Sequence, residues 1–405
     1  MVGSLCNYLF TLFMGRMLGP ANYGILVALL SLMALITIPA SVINTVAMRF
    51  TAVFKSRNQI EKIRRLFSYL TKNLFLISLA AALILIVATP FINNFLKIPS
   101  KVPIILLSLL LILIFLIPIT RGVLQGLQKF FALSVNICID PLVKLLLAVI
   151  LVYFGFGVNG VIIALIVAST TAYFLSFIPL KNLSLKFSRR DDQIGKKEIK
   201  GYSANVLWTL LLLTLLVNVD IILVKHFLSG QEAGFYGALS TMGKIVLFVS
   251  VPISGVMFPM VTSRYEKGEK HWKLLLVSLV LMTILGLLVL AVYFIAPAFS
   301  VKILFGNQYL AIANLLPLFG LAMLLYSICF ALATYFLSIS KTTFLWPLTL
   351  ITLLEIVLIW FYHDSFLTII KILIFTFALT LAMLSGIYFK DRKTQILNLI
   401  FRQNQ

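Results

Sequence analysis

Long apolar runs separated by short polar connections dominate the chain. Each run offers close to the 20 apolar residues that an α-helix needs to cross the hydrocarbon core of a bilayer. The pattern therefore predicts an all-α polytopic membrane protein with about twelve transmembrane helices. The predicted spans are residues 1–14, 24–50, 72–95, 102–120, 132–154, 159–180, 202–228, 233–258, 274–297, 311–336, 344–362 and 367–389.

The first run is shorter than the others. Only about fourteen residues precede Gly15-Arg16, too few to cross a bilayer at about 1.5 Å per residue. No basic segment precedes the run and no small-residue cleavage site follows it, so it does not resemble a signal peptide. We expect the first helix to be truncated, through a missing N-terminal stretch or a misplaced start.

Composition points to lipid as the solvent. The chain is 61% hydrophobic and 11% charged, with a mean hydropathy of +1.10, far from the half-apolar, quarter-charged soluble average. A net charge of +21 raises the question of nucleic acid. The charges lie in short connections between apolar runs, however, so membrane topology explains them and no nucleic acid is expected as a partner.

Cofactor chemistry and catalysis are not indicated. The cysteines lie inside apolar runs, where they are interpreted as packing residues, and the histidines are scattered without metal-ligand spacing. These residues are Cys6, Cys138, Cys329, His226, His271 and His363. No phosphate-binding glycine loop is present, so ATP hydrolysis is not expected. We therefore predict no metal, no cofactor and no enzymatic activity.

Lysine and arginine are concentrated in every second connection, on one side of the predicted membrane. One set of connections, with the C-terminal tail, holds 24 of them, and the alternate set holds five: Arg16, Lys97, Lys101, Lys225 and Lys302. Cytoplasmic loops carry the excess of positive residues. The pattern predicts a multi-pass protein of the cell (cytoplasmic) membrane with both termini in the cytoplasm.

A polar linker and an internal repeat divide the chain into halves. The predicted units are a six-helix lobe at 1–180, a cytoplasmic basic linker at 181–201, and a second six-helix lobe with a short cytoplasmic tail at 202–405. Gly24 precedes Pro39 by fifteen residues, and Gly237 precedes Pro252 by the same interval. Because six spans separate the repeats, the two lobes are expected to be parallel copies. Chance recurrence of glycine and proline in apolar sequence is the alternative.

Three polar residues share one face of the fifth span. Asn136, Asp140 and Lys144 recur every four residues, and charged groups inside a membrane usually face a cavity or a partner because each costs about 2.5–3.5 kcal/mol. One interpretation is a neutral structural ion pair between Asp140 and Lys144. The other is a cavity wall where Lys144 contacts an anion and Asp140 positions Lys144 or takes part in ion coupling.

Further polar residues lie in spans two, seven and eight. Asp220, with Asn218 close by, has no basic residue three or four positions away. It is therefore a candidate for proton or cation coupling or for a structural hydrogen bond. Lys244 is a candidate for substrate contact or for an internal ion pair, or its ammonium reaches the interface. Arg49 is interpreted either as an interface anchor or as a substrate contact.

Four short motifs resemble polysaccharide flippases in the correct order. Arg16-Met17-Leu18-Gly19-Pro20-Ala21-Asn22-Tyr23-Gly24 resembles their R-x-L-G-P-x-x-Y-G stretch, and Arg121-Gly122-Val123-Leu124-Gln125-Gly126 resembles their R-G-x-L-Q-G loop. Asp220 and Lys225, followed by Ala233-Gly234-Phe235-Tyr236, are similar to their seventh span, and Phe305-Gly306-Asn307-Gln308-Tyr309 to the approach to their tenth. The family is that of the Wzx-like polysaccharide transporters, in the multidrug/oligosaccharidyl-lipid/polysaccharide exporter (MOP) superfamily.

The resemblance implies a MATE/MOP-like arrangement of two six-helix lobes around a central cavity. It also implies a flippase that moves a polyprenyl-pyrophosphate-linked oligosaccharide to the outer leaflet by alternating access, for surface polysaccharide biosynthesis. Arg16, Arg49, Lys144 and Lys244 then become candidate pyrophosphate contacts, and Asp220, Asp140 and Asn218 candidate ion-coupling residues. Expected partners are the lipid-linked oligosaccharide, membrane lipid, H⁺ or Na⁺, and membrane proteins of polysaccharide assembly. The alternatives are a cation-coupled multidrug exporter of the same superfamily and a non-transporting protein of an envelope complex.

Overall fold

The described part of the chain is helical throughout. A computed structural model describes residues 2–183, 196–267 and 269–403, and these contain no β-strand. The helices are α1 (Val2–Ile36), α2 (Ile38–Ser56), α3 (Ile60–Val87), α4 (Thr89–Phe95), α5 (Val102–Gly126), α6 (Phe130–Tyr153), α7 (Gly157–Leu175), α8 (Lys196–Leu216), α9 (Val219–Phe227), α10 (Gly230–Glu266), α11 (Trp272–Ile295), α12 (Pro297–Leu304), α13 (Leu316–Ser338), α14 (Leu345–Phe361) and α15 (Phe366–Gln403). Short 3₁₀ helices lie at Ile178–Leu183 and Asn307–Leu315.

Most of these helices are long and apolar enough to cross a bilayer. Within the described residues, nine helices have the length and apolar composition needed to cross a membrane. A tenth is added when α8 and α9 are taken as one bent span. The helix α14 is apolar but shorter, with 17 residues. The predicted polytopic all-α membrane fold is confirmed, while the number twelve stays a prediction.

Two backbone breaks divide the first long apolar segment. Gly19 interrupts α1 with φ 72° just before Pro20, a conformation that glycine adopts without steric cost. Thr37 separates α1 from α2, and Pro39 lies in the first turn of α2, where the missing proline N–H costs no hydrogen bond. The equivalent Pro252 lies inside an uninterrupted α10. The repeat positions of Pro39 and Pro252 thus have different local backbones.

The chain forms two compact units, each built from two separate stretches of sequence. The N-terminal unit comprises Met1–Leu207 together with Lys225–Gly234, and the C-terminal unit comprises Trp208–Val224 together with Phe235–Gln405. Residues 225–234, at the end of α9 and the start of α10, therefore pack with the N-terminal unit. Most of the predicted 181–201 linker lies outside the described residues, and the lobe boundaries stay a prediction.

Glycine packing fixes α5 against α2 in the N-terminal unit. A Cβ added to Gly122 would lie 2.7 Å from the Asn44 carbonyl oxygen, and one on Gly126 would lie 2.6 Å from the Met48 carbonyl oxygen. This small-xxx-small spacing allows two helix backbones to approach closely within a membrane. The sequence placed Arg121-Gly122 in a loop after residue 120, but α5 continues to Gly126. That boundary was wrong because glycine serves helix packing here instead of ending the helix.

A second close approach joins the two segments of the N-terminal unit. A Cβ on Gly234 would lie 1.7 Å from the Pro20 carbonyl oxygen, and one on Gly24 would lie 2.7 Å from the Gly234 backbone nitrogen. All three residues belong to the flippase-like motifs. The physical requirement behind those motifs is therefore contact between the start of α10 and the α1 segment after the Gly19 break.

The C-terminal unit is organised around α13. Most residues of this helix are buried, and it packs against both α11 and α15. Buried tyrosines anchor neighbouring helices by donating to backbone carbonyls: Tyr326 to Leu213 and Tyr293 to Met242, each at 2.7 Å. These hydrogen bonds satisfy hydroxyl groups that would otherwise be costly to bury in a membrane protein.

Candidate functional site

Arg121 organises the polar face of α6 in the N-terminal unit. Its Nε donates to Asn136 Oδ1 at 2.8 Å, and its terminal nitrogen donates to Asp140 Oδ2 at 3.1 Å. Asn136 in turn donates to the Ala172 carbonyl of α7 at 2.5 Å. One guanidinium fork thus binds two acceptors that lie one helical turn apart, and joins α5, α6 and α7.

The ion pair of Asp140 has a different partner from the predicted one. Asp140 pairs with Arg121 of α5, not with Lys144 one turn further along α6. The sequence pattern located the polar face correctly. It missed Arg121 because the residue lies at the end of an apolar run and was assigned to a connection.

Lys144 is held separately, one turn beyond Asp140. Its Nζ donates to Asn7 Oδ1 of α1 and lies 4.5 Å from the centre of the Phe10 ring. An aromatic face and an amide oxygen are neutral partners, so neither cancels the positive charge. Lys144 therefore keeps a net charge that an anion can use.

The two arginine candidates are exposed on the N-terminal unit. Arg16 lies in α1 three residues before the Gly19 break. Arg49 lies on α2 and makes no ion pair or side-chain hydrogen bond within the described part of the chain. The structure shows no direct contact between Arg49 and Lys144.

Asp220 lies at the break between α8 and α9 in the C-terminal unit. These helices are bent by 43°, and Asp220 occupies the first turn of α9, where helix N–H groups favour a negative charge. Asp220 is 1% exposed, and Tyr236 Oη donates to its Oδ2 at 2.7 Å. The first-turn N–H groups lie near the carboxylate, yet Oδ1 has no hydrogen bond of good geometry within the described residues.

Asn218 and Lys244 complete the surroundings of Asp220. Lys244 Nζ donates to Asn218 Oδ1 at 3.3 Å, and the ammonium charge of Lys244 acts on Asp220. The structure thus brings together three of the predicted site residues, from the helix break and from α10. A discontinuous helix with polar residues at the break is a recurrent construction for ion sites in transporters.

A second buried carboxylate, Glu355 of α14, joins this group. It is 0% exposed and accepts a hydrogen bond from Thr376 Oγ1 of α15 at 3.0 Å. Its Oε1 has no partner within the described residues, and its charge and that of Asp220 repel each other. From sequence, Glu355 is an isolated acid that favours a packing role and not a site residue, because its partner is 21 residues away on another helix and no local spacing marks it.

These contacts define the coupling cluster: Asp220, Glu355, Lys244, Asn218, Tyr236 and Thr376. With both acids ionised and Lys244 protonated, the cluster carries one net negative charge. Asp220 and Glu355 each keep one carboxylate oxygen without a side-chain hydrogen-bond partner among the residues that the structure describes. Uptake of one proton or one monovalent cation would make it neutral. Removing a net charge from hydrocarbon is strongly favourable, so the arrangement is chemically suited to reversible cation binding.

A family comparison settles the class of protein. Residues 13–314, well over half of the 405, match the family described as polysaccharide biosynthesis protein. The chain belongs to this family. The resemblance is confirmed at the level of this polysaccharide biosynthesis family, and the fold is that of solved MOP superfamily transporters. No sequence among curated proteins matches the chain.

The fold is shared with solved transporters at low sequence identity. An inward-facing multidrug resistance MATE family transporter of the MOP superfamily has a TM-score of 0.78 at 12% identity, covering 97% of this chain and 94% of its own. The inward closed lipid II flippase MurJ has a TM-score of 0.71 at 14% identity, covering 95% and 86%. A MOP superfamily transporter from Pyrococcus furiosus, described as having a binding pocket of reversed polarity, has a TM-score of 0.63 at 16% identity, covering 95% and 93%. The family match indicates a polysaccharide biosynthesis protein, and its fold is that of multi-pass membrane transporters.

Proposed function

We propose that the protein is a flippase for a polyprenyl-pyrophosphate-linked oligosaccharide, acting by alternating access in surface polysaccharide biosynthesis. The observation that carries the proposal is Lys144, whose ammonium contacts the neutral Asn7 and Phe10 and forms no ion pair within the described residues, where the nearby Asp140 is paired with Arg121. A sugar pyrophosphate cannot cross about 30 Å of hydrocarbon unaided. A cation held on a membrane helix can replace part of its hydration while the polyprenyl tail remains in lipid.

The other basic candidates extend this proposal. Arg16 and Arg49 are exposed cations of the N-terminal unit, and Lys244 is a cation of the C-terminal unit hydrogen-bonded to the neutral Asn218. Arginine binds phosphate oxygens in pairs, and lysine does so as a point charge. We assign all four to contacts with the pyrophosphate. We place the protein in the cytoplasmic membrane, with both chain ends in the cytoplasm.

Ion coupling is assigned to the coupling cluster. Asp220 and Glu355 would take up H⁺ or Na⁺, with Asn218 as a further oxygen donor. Asp140 is a weaker candidate because its carboxylate is already paired with Arg121. An inside-negative potential also favours outward movement of an anion by about 2.3 kcal/mol per charge per 100 mV, so the cation would serve to reset the empty carrier.

We expect Lys144→Ala and Lys244→Ala each to lower the initial flipping rate about tenfold or more at subsaturating substrate. The reason is the loss of a charged hydrogen bond to phosphate, worth about 1.5–3 kcal/mol. The measurement follows a fluorescent polyprenyl-pyrophosphate oligosaccharide in proteoliposomes as it becomes accessible to an external quencher.

Two variants control this test. Lys144→Arg keeps the charge and should keep much of the rate. Lys371→Ala removes an exposed lysine of α15 that has no part in the proposal, and should flip like the wild type. Equal rates for Lys144→Ala, Lys244→Ala and Lys371→Ala would remove the basis for a pyrophosphate site.

A cation-coupled multidrug exporter is the second candidate function. The observation in its favour is the pair of buried carboxylates, because Asp220 and Glu355 could meet a cationic drug as well as an inorganic cation. It predicts that an organic cation competes with the ion at the coupling cluster. A flippase predicts no such competition.

A further inference from the structure

One buried lysine outside the coupling cluster has no hydrogen-bonding or ionic partner in the described part of the chain. Lys225, in the last turn of α9, is 3% exposed. It makes no hydrogen bond or ion pair within the described residues, and the charge that acts on it is that of another cation, Lys97. A lysine side chain buried to this extent is normally paired with an acid, because an unpaired charge is costly to bury.

The surroundings of Lys225 add further positive potential. Its Nζ lies 3.8 Å from where a Cβ on Gly230 would stand, and Gly230 is the first residue of the 37-residue helix α10. The N-terminus of a helix carries a partial positive charge and is a general anion-binding position. Glu232 lies in the same first turn of α10 and places one negative charge there, and its carboxylate accepts from the Ser229 backbone N–H at 2.9 Å.

Lys97 is held close to this point by a rigid arrangement. Its Nζ donates to the Phe227 carbonyl at the end of α9 at 3.3 Å, and its backbone is left-handed, with φ 49°. The His226 ring stacks on Phe95 with centroids 4.0 Å apart, and His226 Nδ1 donates to the Phe95 carbonyl at 2.7 Å. The contacts of Phe95 and of Lys97 itself position this exposed lysine beside the end of α9, as a preorganised binding site requires.

We propose that Lys97, Lys225 and the first turn of α10 form a binding site for a phosphate or pyrophosphate group. Two lysines and a helix N-terminus converge within the N-terminal unit, and a phosphate is the anion that this combination binds best. Both lysines belong to the sparse set on the predicted outer side of the membrane. The group would come from a lipid headgroup in the outer leaflet or from the released substrate; only the second source rests on the proposed function.

The test measures binding without transport. Thermal unfolding is followed in nanodiscs of neutral phosphatidylcholine with increasing inorganic pyrophosphate, in a Lys144→Ala/Lys244→Ala background that lacks two proposed transport contacts. We expect pyrophosphate to raise the unfolding temperature. The affinity of the protein for pyrophosphate should fall about tenfold in Lys225→Met, because one charged hydrogen bond is lost. In the control Lys101→Met, which changes an exposed lysine four residues after Lys97, the affinity should stay within twofold.

A second readout separates a binding role from a structural one. Without pyrophosphate, Lys225→Met should unfold at a higher temperature than its background, since the substitution removes an uncompensated buried charge. If Lys225→Met instead lowers that temperature and leaves pyrophosphate affinity unchanged, the site does not exist. The background variant could bind pyrophosphate while the wild-type protein shows no flipping. That combination would refute the transport function and still support the binding site.

Nanodiscs containing phosphatidylglycerol distinguish the two sources. If this anionic lipid stabilises the protein, Lys225→Met loses that stabilisation, and pyrophosphate has no effect, the site binds a membrane headgroup. A response to pyrophosphate in neutral lipid, lost in the same variant, assigns it to the substrate phosphate. No response to either probe overturns the proposal.

Discussion

Asp220→Asn is expected to abolish the response of flipping to an ion gradient. The substitution keeps the shape of the side chain and an acceptor for Tyr236, but removes the charge that a coupling cation would neutralise. With one cation per cycle, a tenfold gradient can shift the substrate distribution about tenfold, since a tenfold ratio corresponds to about 1.4 kcal/mol. The variant should lose this factor and still equilibrate substrate between leaflets.

The measurement is the steady-state distribution of fluorescent substrate in proteoliposomes. Tenfold gradients of H⁺ and of Na⁺ are imposed separately, with the membrane potential held at zero. The control is Asp364→Asn, because Asp364 is an exposed acid in the connection before α15. If the substrate distribution in Asp220→Asn still responds to the ion gradient as in the wild type, Asp220 has no role in coupling.

Glu355→Gln extends the same prediction to the second acid. If Asp220 and Glu355 share one cation, either substitution should remove the gradient response, and the double variant should be no worse than the single ones. Such non-additivity is the signature of residues that act as one site. Additive losses would indicate two separate sites.

Gly234→Ala is expected to cause the largest loss of stability among glycine substitutions in α10. The new Cβ would stand 1.7 Å from the Pro20 carbonyl oxygen, a backbone atom that cannot rotate away. Overpacking of this kind costs about 1–3 kcal/mol and occasionally more. The unfolding temperature in detergent should therefore fall by several degrees.

A matched glycine in the same helix provides the comparison. A Cβ on Gly255 meets nothing within 4 Å, so Gly255→Ala should leave stability unchanged or raise it by about 0.5–1 kcal/mol through helix propensity. Equal unfolding temperatures for Gly234→Ala and Gly255→Ala would show that the contact with Pro20 does not contribute to the stability of the fold.

Features that depend on local composition could be predicted from sequence. Apolar runs of membrane-spanning length gave the helices, and the four-residue spacing of Asn136, Asp140 and Lys144 gave the polar face of α6. The Gly19-Pro20 motif marks a break in the helix backbone, although Leu5–Ile36 as a whole is long and apolar enough to be one span. In each case the determining interaction lies within a few residues along the chain.

Features that depend on contacts between helices could not be predicted. Arg121 pairs with Asp140 from 19 positions away, and Glu355 meets Thr376 on the next helix along the chain. Gly122 resembles a helix terminator in sequence but is a residue of α5 that packs against α2. Nothing in the local pattern separates these roles, because they are decided by which helices become neighbours.

Flipping by the wild-type protein tests the central proposal most directly. Purified protein is reconstituted with a fluorescent polyprenyl-pyrophosphate oligosaccharide in one sample and with a fluorescent cationic drug in another, and accessibility to an external quencher is followed over time. The proposal predicts protein-dependent movement of the lipid-linked oligosaccharide and none of the drug. Movement of the drug alone would contradict it and identify a multidrug exporter on the same fold.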